Sequence, residues 1–341
     1  MLPRPVPDTS RSRSRVHLAV FAEADLSRTS LMRSLALLGS FVLACAHSIG
    51  TAGRDGGPVS GPVELKFAWP DGFQSPVYIA HESRRRGSQP TGFIARQRIV
   101  AEKKGNEIWV FTREFAARGN EPDLESTVKI SEALVQVVAP DGRFRRAEGL
   151  DQALSAMKTT SPDDRENARL GLIRSAAFDW ELMVGAWAGE KLAPDEVHRK
   201  QVKAYVPLLL AVETLLDVEY GLEERVPCTD EDTARRCVAL SYRARLAPED
   251  RPATVERLRR IISSKPDQPT AEDVHADVEL LLVTEADTLV PHRMSYREHL
   301  RVRVRQPDGR VRETEERSED AYIFSERAPS VPEPESRPSD L

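Results

Sequence analysis

The stretch MSYREHLRVRVRQPDGRVRETEERSEDAYIF, residues 294–324, decides the fold. Met294, Tyr296, Leu300, Val302 and Val304 lie on an alternating pattern among arginines and other polar residues. That is the period of a strand with one apolar and one wet face. Pro307-Asp308-Gly309 then reverses the chain. Proline presets the first turn dihedral, aspartate bonds back to the backbone, and glycine supplies positive φ. A second strand-like run reaches Phe324, so the stretch reads as a hairpin.

The same tripeptide occurs at Pro70-Asp71-Gly72 and at Pro140-Asp141-Gly142. VELKFAW precedes the first, with Val63, Leu65, Phe67 and Trp69 on one face, and residues 73–80 follow it. STVKISEALVQVVA precedes the second, and residues 143–147 follow it. Both read as hairpins. A fourth hairpin is FIARQRIVAEKKGNEIWVFTREF, turning at Lys104-Gly105-Asn106. Two more strands flank Cys228 and Cys237. Thr214, Leu216, Val218, Tyr220 and Leu222 alternate with acids before them, and Val238, Leu240, Tyr242 and Leu246 alternate with polar residues after them. Residues 276–284 read as a further strand.

Helical spacing enters between these strands. Ser161-Pro162-Asp163-Asp164 is a helix start, with serine as cap and proline at the first position. ENARLGLIRSAAFDWELMVGAW follows with apolar residues three or four apart, and PATVERLRRIIS is a shorter helix. The expectation is an α+β domain over residues 62–325. It consists of one large curved antiparallel sheet, a meander of hairpins, with a helical insert at about 150–200 packed on one face. Residues 326–341, rich in proline and acids, are expected to be disordered.

The first 61 residues have a different character. Met32-Arg33 leads into the apolar run LALLGSFVLACA, residues 35–46. The run is too short to span a bilayer, but it fits an export signal. Met32 gives that signal a short positive start, whereas starting from Met1 would place Asp8, Glu23 and Asp25 ahead of it. Residues 1–45 are therefore expected to be an over-long N-terminus plus signal peptide, and the glycine-rich residues 46–61 a flexible tether.

Composition bounds the partners. Among 341 residues, 49 are basic and 54 acidic, for a net charge of −5. Residues 1–45 hold six arginines and three acids, which leaves 43 basic and 51 acidic residues in the body. A mildly acidic body without a basic run is not the footprint of a nucleic-acid binder.

Cys228 and Cys237 bracket a polar, turn-prone loop. They are expected to form a disulfide, which requires an oxidising compartment. A two-cysteine metal site is the rival, although no histidine lies nearby in sequence to complete it.

Val42-Leu43-Ala44-Cys45 resembles a bacterial lipobox, with Val42 and Leu43 ahead of the small Ala44. That resemblance implies lipid on Cys45 and a membrane partner through it. With Ala46 rather than an aspartate after the cysteine, it implies the periplasmic side of the outer membrane in a Gram-negative envelope. Cleavage after Ala46 at Ala44-Cys45-Ala46, giving a soluble secreted protein, is the alternative. Two further patterns run through the body: Ala139-Pro140-Asp141-Gly142 leading to Glu148-Gly149-Leu150-Asp151 and Leu154, and Asp287-Thr288-Leu289-Val290-Pro291-His292. They are similar to uncharacterised bacterial lipoproteins, and the body as a whole resembles the LolA/LppX-type half-barrel lipoproteins. The resemblance implies a concave sheet that holds an apolar ligand or an envelope protein.

Chemical motifs are few. Ser155-Ala156-Met157-Lys158 has the S-x-x-K spacing of penicillin-recognising enzymes but lacks their partner motifs. Asp273, His275 and Asp277 would share one strand face, as metal ligands or as a wet edge. Arg84-Arg85-Arg86 is a basic triplet of the kind that touches anionic headgroups or simply faces solvent. No nucleotide, metal or cofactor fingerprint is present. The candidate ligand-lining residues are Trp69, Trp109, Trp180 and Trp187, with Phe67, Phe111, Leu216, Val218, Leu240 and Tyr242. Two functions follow: a non-enzymatic envelope lipoprotein with an apolar groove of at least ~300 Å³, or an exported hydrolase whose site residues are scattered through the fold. A core simply closed between helix and sheet is the competing account of the same aromatics.

Overall fold

The computed structural model describes residues 61–157, 162–194, 196–206, 212–229, 236–262 and 268–325. Among these, eleven strands form one antiparallel sheet. The N-terminal half supplies β2 (Gln74–Arg85), β3 (Thr91–Lys104), β4 (Glu107–Gly119), β5 (Val135–Val138) and β6 (Phe144–Glu148). The C-terminal half supplies β8 (Val197–Tyr205), β9 (Glu213–Pro227), β10 (Arg236–Leu246), β11 (Thr270–Thr284), β12 (Pro291–Arg305) and β13 (Val311–Phe324). The spatial order is β6-β5-β4-β3-β2-β13-β12-β11-β10-β9-β8. The first and last long strands therefore pair in mid-sheet, with Ala80 opposite Ala321. Strands on both sides of the helical segment belong to the same curved sheet.

Alternation explains the two faces. Leu216, Leu240, Leu282 and Tyr296 are almost fully buried on the inner face. The outer face carries charge in rows: Arg199, Glu219, Arg243, Glu279, Arg297 and Glu319 are successive register partners across six strands. Opposite charges directly across a ladder support each other, although each exposed pair contributes little. This lattice is where much of the chain's 30% charged residues goes.

Helices cover the inner face and its edges: α1 (Leu124–Ala133), α2 (Leu150–Ser155), α3 (Pro162–Trp180) and α4 (Arg251–Ile262). A single π-type turn, Glu181–Gly185, extends α3, and Ala186 N–H donates to the Glu181 carbonyl at 2.8 Å. It delivers two fully buried tryptophans to different parts of the sheet. Trp180 meets Phe67 and Trp69 edge-on, and its Nε1 donates to the Gly142 carbonyl at 2.6 Å. Trp187 meets Tyr220 and Tyr242.

The hairpins at residues 93–115 and 294–324, and the pair around the cysteines, form as expected. Three expectations fail. Pro70-Asp71-Gly72 makes a turn, with Phe73 N–H donating to the Pro70 carbonyl at 3.0 Å, but it joins no hairpin. The preceding strand is only β1 (Val63–Glu64), paired with β7 (Lys191–Leu192). The backbone after it is satisfied instead by loop carbonyls, with Lys66 and Ala68 donating to Ala286 and Thr288. Residues 126–133 are helical rather than extended, because buried Thr127, Ile130 and Ala133 recur every third residue. The expected helical insert at about 150–200 gives way near its end to β7 and the start of β8, an edge strand whose inward positions His198, Lys200, Val202 and Ala204 mix polar and apolar residues. The lipidation site Cys45, the Met32 start, the tether, the Ser161 cap, Lys158 and the 326–341 tail lie outside the described residues.

Candidate functional site

The end of α3 and its π-type turn bring Ala176, Asp179, Leu182 and Met183 to one side of the helix, above the inner face. Gln136 on β5 donates from Nε2 to the Ala176 carbonyl at 2.8 Å, which sets the helix an amide's reach from the strand. Helix and sheet do not close completely here. A cavity of about 140 Å³ is left between them. Ile79, Ile99, Val110, Phe115, Met294 and Phe324 make most of its sheet wall, and Leu134 of the α1 end closes one side.

Polar side chains enter the lining from several elements: Gln97, Thr112, Ser131 and Gln136, and Asp179, Tyr296 and Tyr322. Beyond the two tyrosines the inner face continues with buried Glu298, Ser318, Asp320 and His81. Register accounts for the grouping. Tyr296 is directly opposite Asp320, Glu298 is opposite Ser318, and Asp320 is opposite His81. The Tyr296 hydroxyl donates to Glu298 Oε2 at 3.0 Å. His81 Nε2 lies 3.5 Å from Glu121 Oε2. Both carboxyl oxygens of Asp320, and Ser318 Oγ, are buried without a hydrogen-bond partner among the described residues.

Burial, followed by the field of Glu298, pushes Asp179 and Asp320 well above the usual carboxylate range, and Asp179 raises Asp320 further. Burial pushes the Tyr296 and Tyr322 hydroxyls up as well, helped by the same acids. No basic side chain enters among the influences on either aspartate. Both shifts favour the neutral form of the carboxyl, which can donate a hydrogen bond.

The residues singled out from sequence fall elsewhere. None of the four candidate tryptophans lines the cavity. Trp69 donates from Nε1 to the Leu289 carbonyl at 3.0 Å, and packs with Phe67, Phe73 and Trp180. Trp180 and Trp187 are core residues. Trp109 and Phe111 share the face of β4 opposite to Val110 and Thr112, which line the cavity, and Lys104 Nζ sits 4.2 Å over the Trp109 ring. Aromatic size marked packing anchors here, while smaller aliphatics line the space. Leu216, Val218, Leu240 and Tyr242 are core under other strands.

Cys228 and Cys237 are joined as a disulfide at facing ends of β9 and β10. The fold brings His292 to them, with a ring nitrogen within 4.8 Å of the sulfurs, but the sulfurs are already bonded to each other. Asp273, His275 and Asp277 lie along β11, with His275 Nε2 3.3 Å from Asp273 Oδ2, and do not form a three-ligand cluster among the described residues. Ser155 Oγ donates to the Gln152 carbonyl at 2.6 Å. In the basic triplet, Arg84 pairs with Glu82, and Arg86 with Glu313 at 3.2 Å.

Sequence reasoning missed Asp179, Glu298 and Asp320. One signal was present: Glu298 occupies an inner-face position between Tyr296 and Leu300, where the strand's alternation calls for an apolar residue.

No protein-family model matches the chain, and no curated protein matches it in sequence. Among solved structures, lipovitellin, studied for its lipid–protein interactions, is similar over 78% of this chain and 26% of that one, at 9% identity and a TM-score of 0.37. The chain spans about a quarter of that protein's length, and a likeness at this level says nothing about function here.

Proposed function

We propose that the protein is a binding protein that holds a small apolar group between α3 and the curved sheet. The observation that carries this reading is the cavity of about 140 Å³ lined mainly by Ile79, Ile99, Val110, Leu182, Met183 and Phe324. An apolar cavity of about 150 Å³ stays dry and accepts benzene, whereas pockets for drug-sized ligands start near ~300 Å³. The occupant is therefore one aromatic ring or the end of an acyl chain, rather than a whole lipid.

The reading extends to location. The lipobox pattern ending at Cys45 supports a lipid-anchored envelope protein of the half-barrel type, on the periplasmic side of an outer membrane. The Cys228–Cys237 disulfide supports an oxidising compartment. A second envelope protein is a further partner on the same reading.

Calorimetric titration of the purified chain with toluene tests the cavity. One saturable site is expected, lost in Ala176→Leu, which places extra carbons into the space. Absence of saturable heat, or binding unchanged by Ala176→Leu, would contradict the reading. Fractionation of Cys45→Ser tests the anchor: release from the membrane fraction, or accumulation of a precursor, is expected, and unaltered processing and fractionation would contradict it.

A further inference from the structure

We propose that Cys228, Cys237 and His292 form a redox-gated zinc site: the disulfide is its closed form, and reduction of the disulfide makes it competent for metal.

Three observations carry this. First, the donors converge. One ligand atom from each of the three residues lies within 4.8 Å of the other two. Tetrahedral zinc, with bonds of about 2.3 Å to sulfur and about 2.1 Å to nitrogen, holds its ligand atoms roughly 3.3–3.8 Å apart. The difference is within reach of side-chain rotation once the sulfurs part. Second, two neighbouring turns hold the donors. The cysteines lie at the turn end of β9 and β10, and His292 opens β12 after the turn that follows β11. Val238 is opposite Thr284, and Thr284 is opposite Pro291, so Cys237 and His292 flank one row of the sheet. The β11–β12 turn is braced: Thr284 Oγ1 donates to the Val290 carbonyl at 2.9 Å, and Thr288 Oγ1 to Glu285 Oε2 at 2.7 Å. The other carboxyl oxygen, Glu285 Oε1, is 3.2 Å from His292 Nε2. A carboxylate against a ligating histidine is the arrangement that sets ring orientation in metal sites. Third, the site is dry. Cys228, Cys237 and His292 are 1%, 0% and 8% exposed, and the cysteines share an apolar cluster with Ala239 and Val283.

The donor set selects the metal. Two thiolates and an imidazole suit zinc, whereas magnesium and calcium take oxygen ligands. Two thiolates also cancel the charge of Zn²⁺, so the buried site carries no net charge. The fourth tetrahedral position is left to an oxygen ligand. The redox step balances with a dithiol as reductant. The S–S bond breaks, the two sulfurs gain two electrons and two protons, and the dithiol leaves as its own disulfide. Zn²⁺ then displaces both thiol protons to the buffer as two Zn–S bonds form. In an oxidising compartment the disulfide holds the site shut, and metal binding marks the reduced chain.

The test uses the full chain, reduced with a dithiol, freed of it without air, and titrated with Co²⁺ and then with Zn²⁺. The reduced chain is expected to bind one Co²⁺ with a tetrahedral visible spectrum and a sulfur-to-metal band in the near ultraviolet, and one equivalent of Zn²⁺ is expected to displace it. The unreduced chain should show neither band. Cys45→Ser should leave the spectrum unchanged and Cys228→Ser should abolish it, while His292→Gln should weaken Zn²⁺ binding at least tenfold. Zn²⁺ should also raise the thermal midpoint of the reduced chain and not of the oxidised one, a readout that holds even where reduction loosens the fold. Absence of the tetrahedral spectrum and of the midpoint shift in the reduced chain would overturn the inference. So would an equal response from the unreduced chain or from Cys228→Ser, or undiminished binding in His292→Gln. Each of these results would leave the disulfide as a structural staple, and none bears on the cavity.

Discussion

Asp320 stands directly opposite Tyr296 in the β12–β13 ladder, both of them buried on the inner face of the sheet. Tyr296 uses its hydroxyl on Glu298, two residues along the same strand, and the Asp320 carboxyl is left without a hydrogen bond. A largely apolar inner face thus holds acids at its centre. Such groups are expensive to bury without a partner.

The buried aspartates set a pH dependence. Their folded pKa values lie above the ordinary 3.8, so the folded chain holds more protons than the unfolded one. Their contribution is fully present below about pH 3.8 and is lost as pH rises toward the folded values. Asp320→Asn, which keeps the shape and cannot ionise, should therefore flatten the decline in stability as pH rises above about 3.8. Urea midpoints at several pH values check this, and parallel curves for the two proteins would contradict it.

Asp250 has the opposite sign. Burial raises its carboxyl, but Arg257, the Leu215 N–H, Thr254 and Thr214 outweigh that and hold it down at about 2. Its oxygens accept from Leu215 N at 2.9 Å and from Thr214 Oγ1 at 3.1 Å, tying the start of α4 to β9. This stability is present above about pH 3.8 and is lost as pH falls toward 2. Asp250→Ala should cost about 2–3 kcal/mol at pH 7, since it leaves a backbone N–H and two hydroxyls short of an acceptor. Denaturant unfolding measures it, and a loss under about 0.5 kcal/mol would mean that water replaces the carboxylate.

Gly149 shows a close backbone approach. Its φ is +76°, and a Cβ there would lie 1.9 Å from the Ala133 carbonyl oxygen. Gly149→Ala should therefore destabilise by about 2–4 kcal/mol, from positive φ and from the displaced α1–β5 junction together. Thermal unfolding followed by far-UV circular dichroism checks this. An unchanged midpoint would show that the junction yields freely.

The Cys228–Cys237 disulfide closes a short loop at the β9–β10 end. Replacing both cysteines by alanine should lower stability by about 2–3 kcal/mol in the chain-entropy picture. Thiol labelling of the native protein, isolated without reductant, should find neither sulfur free. Full labelling of both would contradict the oxidised state.

Much of the fold was legible because most strands have one wet face. Residues 294–324, 93–115 and the cysteine-flanking strands alternate cleanly, and the structure pairs them as hairpins. The helix at Leu124–Ala133 was not legible as such, because STVKISEALVQVVA joins a helix to a real strand, Val135–Val138, without a proline or glycine between them. The strand Val197–Tyr205 was missed because its inward positions, His198, Lys200, Val202 and Ala204, are half polar, which blunts the period-two signal. The cavity was the least legible part. Its lining comes from strands far apart in sequence, and large tryptophans attract attention although they serve as packing anchors. The break of alternation at Glu298 marked only the buried acids on the same face.

The most direct test of the account concerns the methionines. The chain has five, and Met183 and Met294 both line the cavity, one from the helix side and one from β12, whereas Met157 packs in a separate cluster. Labelling the methionine methyls with ¹³C and titrating with toluene places reporters on opposite walls of the space. The account predicts saturable shifts with one common dissociation constant at Met183 and Met294, and none at Met157. Shifts absent from both, or spread over all methionines without saturation, would contradict a binding cavity between helix and sheet.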